Sequence, residues 1–236
     1  MLYLDIHYDD ANNKDHFLTL YRPTPATEHL PEWFKNLKSK TEKGLTAKSC
    51  RGLYDMMTMG YMIVWTFDVT ISKEADGRIF VRKTRDNTTT DFHPHPHFQL
   101  GLYPDVNLSR QLTGVEKVTL PYRIKTPKNT SVFVVQPSYR PDLKTEIMPG
   151  VIDSDKFYSP LNVLFTIKNF PNDGEMQISA GTPLAQLVPF KREKWKIRYG
   201  KVDKELLHTI ESNVGNINRY YQKFLWSRKN YGKETE

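Results

Sequence analysis

The sequence predicts a mainly β globular protein: a strand-rich barrel or sandwich over residues 61–200, a small mixed segment of short helices before it (1–60), and one long basic helix with a tail after it (201–236). Three observations predict it. From Tyr61 the apolar residues fall at every second position, the period of a half-buried strand. Further apolar runs are short and are divided by turn residues such as Asp76-Gly77, Asn172-Asp173-Gly174 and Ala180-Gly181. Near the end the period lengthens to three and four residues, that of a helix with one apolar face.

Taken in order, Leu2, Leu4 and Ile6 alternate with Tyr3, Asp5 and His7, which reads as a strand or extended arm. Pro23 and Pro25 mark a turn region. Pro31 opens a short helix with Trp33, Phe34 and Leu37 as its apolar stripe, because a missing N–H is no loss in a first turn. Residues 38–48 are mostly polar and read as a loop. A second short helix is predicted over 51–59, with Leu53, Met56 and Met57 inward and Gly60 as its left-handed cap. Ile63, Trp65, Phe67, Val69 and Ile71 then share one strand face. A strand at 79–83 completes a hairpin across Asp76-Gly77, where both positions tolerate positive φ. Further strands are predicted at 97–103, 115–126, 131–136, 161–168, 175–179, 184–190 and 194–199. The last helix runs from about 204 to 226, capped by Asp203. Its face of Leu207, Ile210, Val214, Ile217 and Tyr221 is expected to dock on the barrel, since monomers seldom leave such a stripe in water.

With 13 Tyr, 12 Phe and 4 Trp, much of the core must come from large rings. No apolar run approaches the roughly eighteen residues of a membrane span, and the opening MLYLDIHYDD has acids where a secretory signal needs a basic start. The expectation is a chain that neither spans a membrane nor leaves by that route. Cys50 stands alone, so no intramolecular disulfide and no cysteine-based zinc site can form, which fits a reducing compartment. The net charge of +7 is concentrated late: residues 191–236 hold twelve Lys or Arg against six Asp or Glu. Such a segment suits nucleic acid or an acidic protein surface, and a solvated mixed-charge helix has the same composition.

Four stretches carry a resemblance: 127–135, then Gly150-Val151-Ile152-Asp153-Ser154-Asp155, then 162–167, then Ala180-Gly181-Thr182-Pro183-Leu184-Ala185-Gln186-Leu187. They resemble the dUTPase and dCTP deaminase superfamily, whose fold is the β-clip, a compact jelly-roll-like barrel. The resemblance implies a Mg²⁺-dependent nucleotide pyrophosphatase in which Asp153, with Asp155, orients the attacking water. Tyr158 would be the base-stacking wall, Gln186 the family's strand glutamine, and Arg140 the nearest phosphate-gripping residue. It also implies a homotrimer with sites between subunits. Several positions depart from the pattern. Lys156 and Phe157 separate Asp155 from Tyr158, Pro183 replaces an arginine, Pro137-Ser138-Tyr139-Arg140 is scrambled against Arg-Ser-Gly, and no glycine-rich tail follows. The barrel's turns alone would account for the matching segments.

The whole chain, through Pro31-Glu32-Trp33-Phe34, residues 46–50, residues 54–61 and above all residues 180–195, also resembles proteins of tailed bacteriophages, large myoviruses in particular. That resemblance implies a phage protein of the host cytoplasm or the virion, with other phage proteins as partners.

His93, His95 and His97 alternate with Pro94 and Pro96, so an extended course points three imidazoles one way, toward Zn²⁺ or Fe²⁺, with Asp91 nearby. A straight strand spaces same-face side chains about 7 Å apart, so at most two would share an ion without a bend. The expectation is that no metal is held. Trp195, Tyr199, Tyr220, Tyr221 and Trp226 are interleaved with basic residues in a way that can stack bases. No nucleophile elbow, phosphate loop or dinucleotide fingerprint occurs. The expected function is therefore a phage accessory or virion-associated protein using a degenerate dUTPase-like barrel for binding or assembly. A nucleotide pyrophosphatase and a cupin-like oxygenase on the histidine run are the alternatives.

Overall fold

The computed structural model describes residues 2–8, 22–73, 79–83, 92–94, 115–168, 174–216 and 220–232. The protein is mainly β, and its strands pair antiparallel. One sheet joins β1 (Asp5–Tyr8), β9 (Glu116–Lys125), β13 (Pro160–Ile167) and β11 (Thr145–Ile147), with β8 (Phe92–Pro94) also on β9. A second runs β12 (Gly150–Ile152), β10 (Thr130–Val135), β15 (Pro183–Lys191), β5 (Tyr61–Val64) and β2 (Thr24–Pro25). A third joins β14 (Glu175–Ile178), β6 (Val69–Lys73) and β7 (Ile79–Lys83), and β3 (Lys40–Thr41) pairs β4 (Gly44–Leu45) within the predicted loop. No closed barrel is traced among the described residues.

The inward positions of these sheets meet in one core. Ile63, Trp65, Val69 and Ile71 are buried, as the alternation predicts, together with Tyr122, Val132, Val163, Phe165 and Leu187. Trp65 meets Phe165 edge to face, with ring centroids 5.6 Å apart. The run from Tyr61 is not one strand, however. Trp65 exchanges backbone hydrogen bonds with Thr182 and Gly181, and β5 and β6 separate into different sheets. The 79–83 strand pairs β6 as expected, while the Asp76-Gly77 turn and the 97–103 strand lie outside the described residues.

Two short helices cover one end, α1 (Glu32–Asn36) and α2 (Arg51–Thr58). Phe34 is buried and Trp33 is 39% exposed, so only part of the predicted stripe packs. Gly60 follows α2 with φ +72°, the left-handed geometry expected of it.

The C-terminal region corrects two expectations. Residues 194–199 have strand patterning, but among the described residues no strand pairs with them, and they run exposed. Helix α3 (Lys204–Asn216) forms, but its apolar face is not docked: Leu207 is 45% exposed and Val214 53%. Ile217 lies outside the described residues. The reason is the path of the chain, because the unpaired segment carries α3 off the sheets. A π-helical turn, Tyr221–Leu225, follows, and only beyond it does the chain return. There Trp226 Nε1 donates to Asp55 Oδ2 at 2.9 Å, Lys229 pairs with the same oxygen at 2.9 Å, and Tyr231 packs against Tyr61.

Candidate functional site

The register of the second sheet builds the site. Pairing Thr130 with Lys191 and Ser131 with Phe190 places the residue after β15 beside the turn before β10, where Arg192 N donates to Asn129 O at 2.8 Å. On the other side of β10, β12 ends at Ile152 and the chain turns, with Lys156 N and Phe157 N both donating to Asp153 O at 2.8 Å. Asp153, Asp155 and Arg192 thereby meet above the open end of β10.

Their side chains form a closed ion-pair cluster. Arg192 Nη1 lies 2.8 Å from Asp153 Oδ1, and Arg192 Nη2 pairs with Asp155 Oδ2. The Ser131 hydroxyl donates to Asp153 Oδ1 at 2.6 Å, and Asn129 N donates to Asp155 Oδ2 at 2.9 Å. Asp155 is almost covered, with 4% of its side chain exposed, whereas Asp153 is half open at 53%. The Ser131 and Arg192 hydrogen bonds, with the nearby charge of Lys156, hold Asp153 below the ordinary carboxylate range. Arg192, then Asn129 N–H, does the same for Asp155.

This donor set does not fit a divalent cation. A Mg²⁺ drawn to Asp153 and Asp155 would have to displace the guanidinium that bridges them, and Asp155 Oδ1, which has no partner, is buried. Among the described residues no three His, Cys, Asp or Glu side chains gather as a metal site. His95 and His97 lie outside those residues, and of His93 only the backbone is described, paired with Lys117.

The remaining predicted residues have partners outside this cluster. Tyr158, 50% exposed, shares a hydrogen bond with His7 Nδ1 at 2.7 Å, and the Arg123 guanidinium sits 5.7 Å from its ring centre. Gln186 is buried, and its amide is fully engaged: Nε2 donates to Met56 O and Met59 O at 3.0 and 2.7 Å, and Oε1 accepts from Ser138 N at 3.3 Å. It closes carbonyls at the end of α2, which a helix terminus leaves unpaired. Arg140 grips Asp142 through Nε and Nη2, and its Nη1 reaches His29 O. Beside the Asp153 turn lies a cavity of about 180 Å³ lined by Ile124, Val132, Ile152, Ser154 and Phe157 among others. That is smaller than the ~300–1,000 Å³ of ordinary small-molecule sites.

Sequence reasoning missed Arg192 and Ser131 as members of this cluster. Arg192 sits in a run of charges that looks like a solvated face, and only the β10–β15 register brings it to Asp153.

No family model matches the chain, and no curated protein sequence does. Among solved structures it is similar to the native dUTPase of EIAV, at 13% identity and a TM-score of 0.33, over 62% of this chain and 87% of that one. It is also similar to a mutant dUTPase from phage phi11 of S. aureus whose structure describes a structural Mg(II) ion, at 13% identity and a TM-score of 0.31, over 61% and 83%.

Proposed function

We propose that this chain is a binding or assembly protein, an accessory or virion-associated component of a tailed bacteriophage as its sequence resemblance implies, built on a degenerate dUTPase-like barrel. Its setting is the host cytoplasm or the virion. The observation that carries the non-catalytic part of this reading is the engagement of both motif carboxylates by Arg192. A carboxylate held below its ordinary pKa by a guanidinium is a poor proton acceptor, and one that is nearly covered cannot meet a substrate. Both aspartates are spent on joining the ends of β12 and β15 to the turn before β10. Partners are expected among further copies of the chain, in a trimer as in the resembled family, among other phage proteins, and in nucleic acid met by the basic C-terminal segment.

A Mg²⁺-dependent nucleotide pyrophosphatase is the second reading, and one observation favours it: Asp153 is half exposed and held ionised. Nucleotide binding separates the two. Saturating ligand that binds only the folded state adds roughly 3 kcal/mol at a hundredfold excess over Kd, worth about 5–10 °C in a domain of this size. We expect no such rise with dUTP, dCTP or the other dNTPs plus Mg²⁺. A rise with one nucleotide that disappears in Asp153→Asn would place a nucleotide at Asp153 and favour the second reading.

A further inference from the structure

Residues 192–203 run from the end of β15 to α3 without helix, turn, bend or strand pairing. Within that strap Trp195 is 84% exposed, Ile197 82% and Tyr199 95%. In an extended course these three fall on one side, and Lys194, Lys196 and Arg198 on the other. From Lys194 to Val202 there are four cations, with Lys201, and no acid. Among the described residues none of the four makes an ion pair. Arg192, at the start of the strap, is committed to Asp153 and Asp155, so the strap is anchored where it leaves β15 while its middle stands in water.

Two nearly bare aromatic rings among unpaired cations have a specific chemical complement. An acidic protein surface would answer the charges and leave the rings without a planar partner. A strand of unpaired nucleotides answers both, since every base offers a π-face and every linkage an anion. We propose that residues 194–201 bind single-stranded nucleic acid, with Trp195 and Tyr199 as stacking platforms and Lys194, Lys196, Arg198 and Lys201 on the phosphates. This deepens the binding reading above by naming a partner class and rests on it. Oligonucleotide binding and nucleotide turnover are separate readouts, so either can fail alone.

The test is fluorescence anisotropy of a labelled thymidine 20-mer titrated with the full chain at 50 and 200 mM salt, with a duplex of equal length beside it. The single strand should bind more tightly than the duplex. Its log Kd should rise by about three per decade of salt if four cations are neutralised, at roughly 0.7 each. Trp195→Ala with Tyr199→Ala should weaken binding at least about tenfold, because each stacked base is worth about 5- to 150-fold. Lys194→Ala with Lys196→Ala and Arg198→Ala should lower the salt slope by about two. Unchanged thermal midpoints would show that these exposed substitutions leave the fold intact. No binding at 50 mM salt, equal affinity for duplex, or wild-type affinity in the ring variant would each overturn the proposal. So would capture on phosphatidylserine vesicles without oligonucleotide binding, which would assign the strap to a membrane surface.

Discussion

Gly60→Ala should destabilise the protein by about 4 kcal/mol or more, toward the upper end of single-substitution effects. The residue joins α2 to β5 with φ +72°, a left-handed backbone that costs a side-chain-bearing residue about 1–2 kcal/mol. A Cβ there would also lie 1.9 Å from Leu187 O, 2.9 Å from Leu187 C and 3.1 Å from Val188 Cα. All three are backbone atoms of the strand at the centre of the second sheet, so no rotamer change relieves the contact. The matched control is Gly52→Ala, inside α2 with nothing within 4 Å of the added carbon. That change should be neutral or stabilising by up to about 1 kcal/mol. Urea midpoints of the two variants, measured together, check both expectations.

Arg192→Ala should produce the next largest loss, and its pH dependence identifies the cause. The variant removes the guanidinium paired with both carboxylates, leaving Asp155 with Asn129 N–H and Asp153 with the Ser131 hydroxyl and the nearby Lys156 charge. Both carboxylates have folded-state pKa values below their unfolded ones, so their contribution is present above the unfolded value and disappears as pH falls through the folded one. The gap in urea midpoint between wild type and Arg192→Ala should therefore be widest near neutrality and shrink below about pH 4, the ordinary aspartate value. Glu116, whose carboxyl burial pushes up to about 7, opposes this trend near neutrality but titrates in both proteins and drops out of the difference. A gap that stays constant from neutrality down to strong acid would mean that Arg192 acts by packing alone.

Much of the fold is legible in the sequence because it rests on local period and turn chemistry. The alternation of Ile63, Trp65, Val69 and Ile71 marks a buried face, and the predicted strands at 131–136, 161–168 and 184–190 appear as β10, β13 and β15 within a residue or two. Gly60 is recognisable as a cap. The break at Trp65 is not, since alternation continues across it and the separation depends on backbone bonds to Gly181 and Thr182. Residues 194–199 fail for the same reason in reverse: a strand pattern is a property of the segment, but pairing needs a neighbour with a free edge. The α3 stripe shows that an apolar face must be covered by something without showing by what.

The site was legible only in part. The Gly-Val-Ile-Asp stretch marks a strand end and a turn, and Asp153 and Asp155 do lie together there. Their common partner, Arg192, is 37 residues from Asp155 in sequence and reaches it through the register of β15 on β10. Gln186 is singled out in the sequence only through the family resemblance. Two of its partners, the carbonyls of Met56 and Met59 at the end of α2, come from 130 and 127 residues away.

Whether Asp153 is the structural carboxylate proposed above or a catalytic one is decided by pyrophosphate release from each dNTP in the presence of Mg²⁺. Wild type and Asp153→Asn are to be compared at equal concentration. A structural Asp153 gives no release above the uncatalysed rate by either protein, together with a lower urea midpoint for Asp153→Asn, because a neutral amide pairs less well with Arg192 and Ser131. Turnover of any one nucleotide by the wild type that vanishes in an equally stable Asp153→Asn would contradict it.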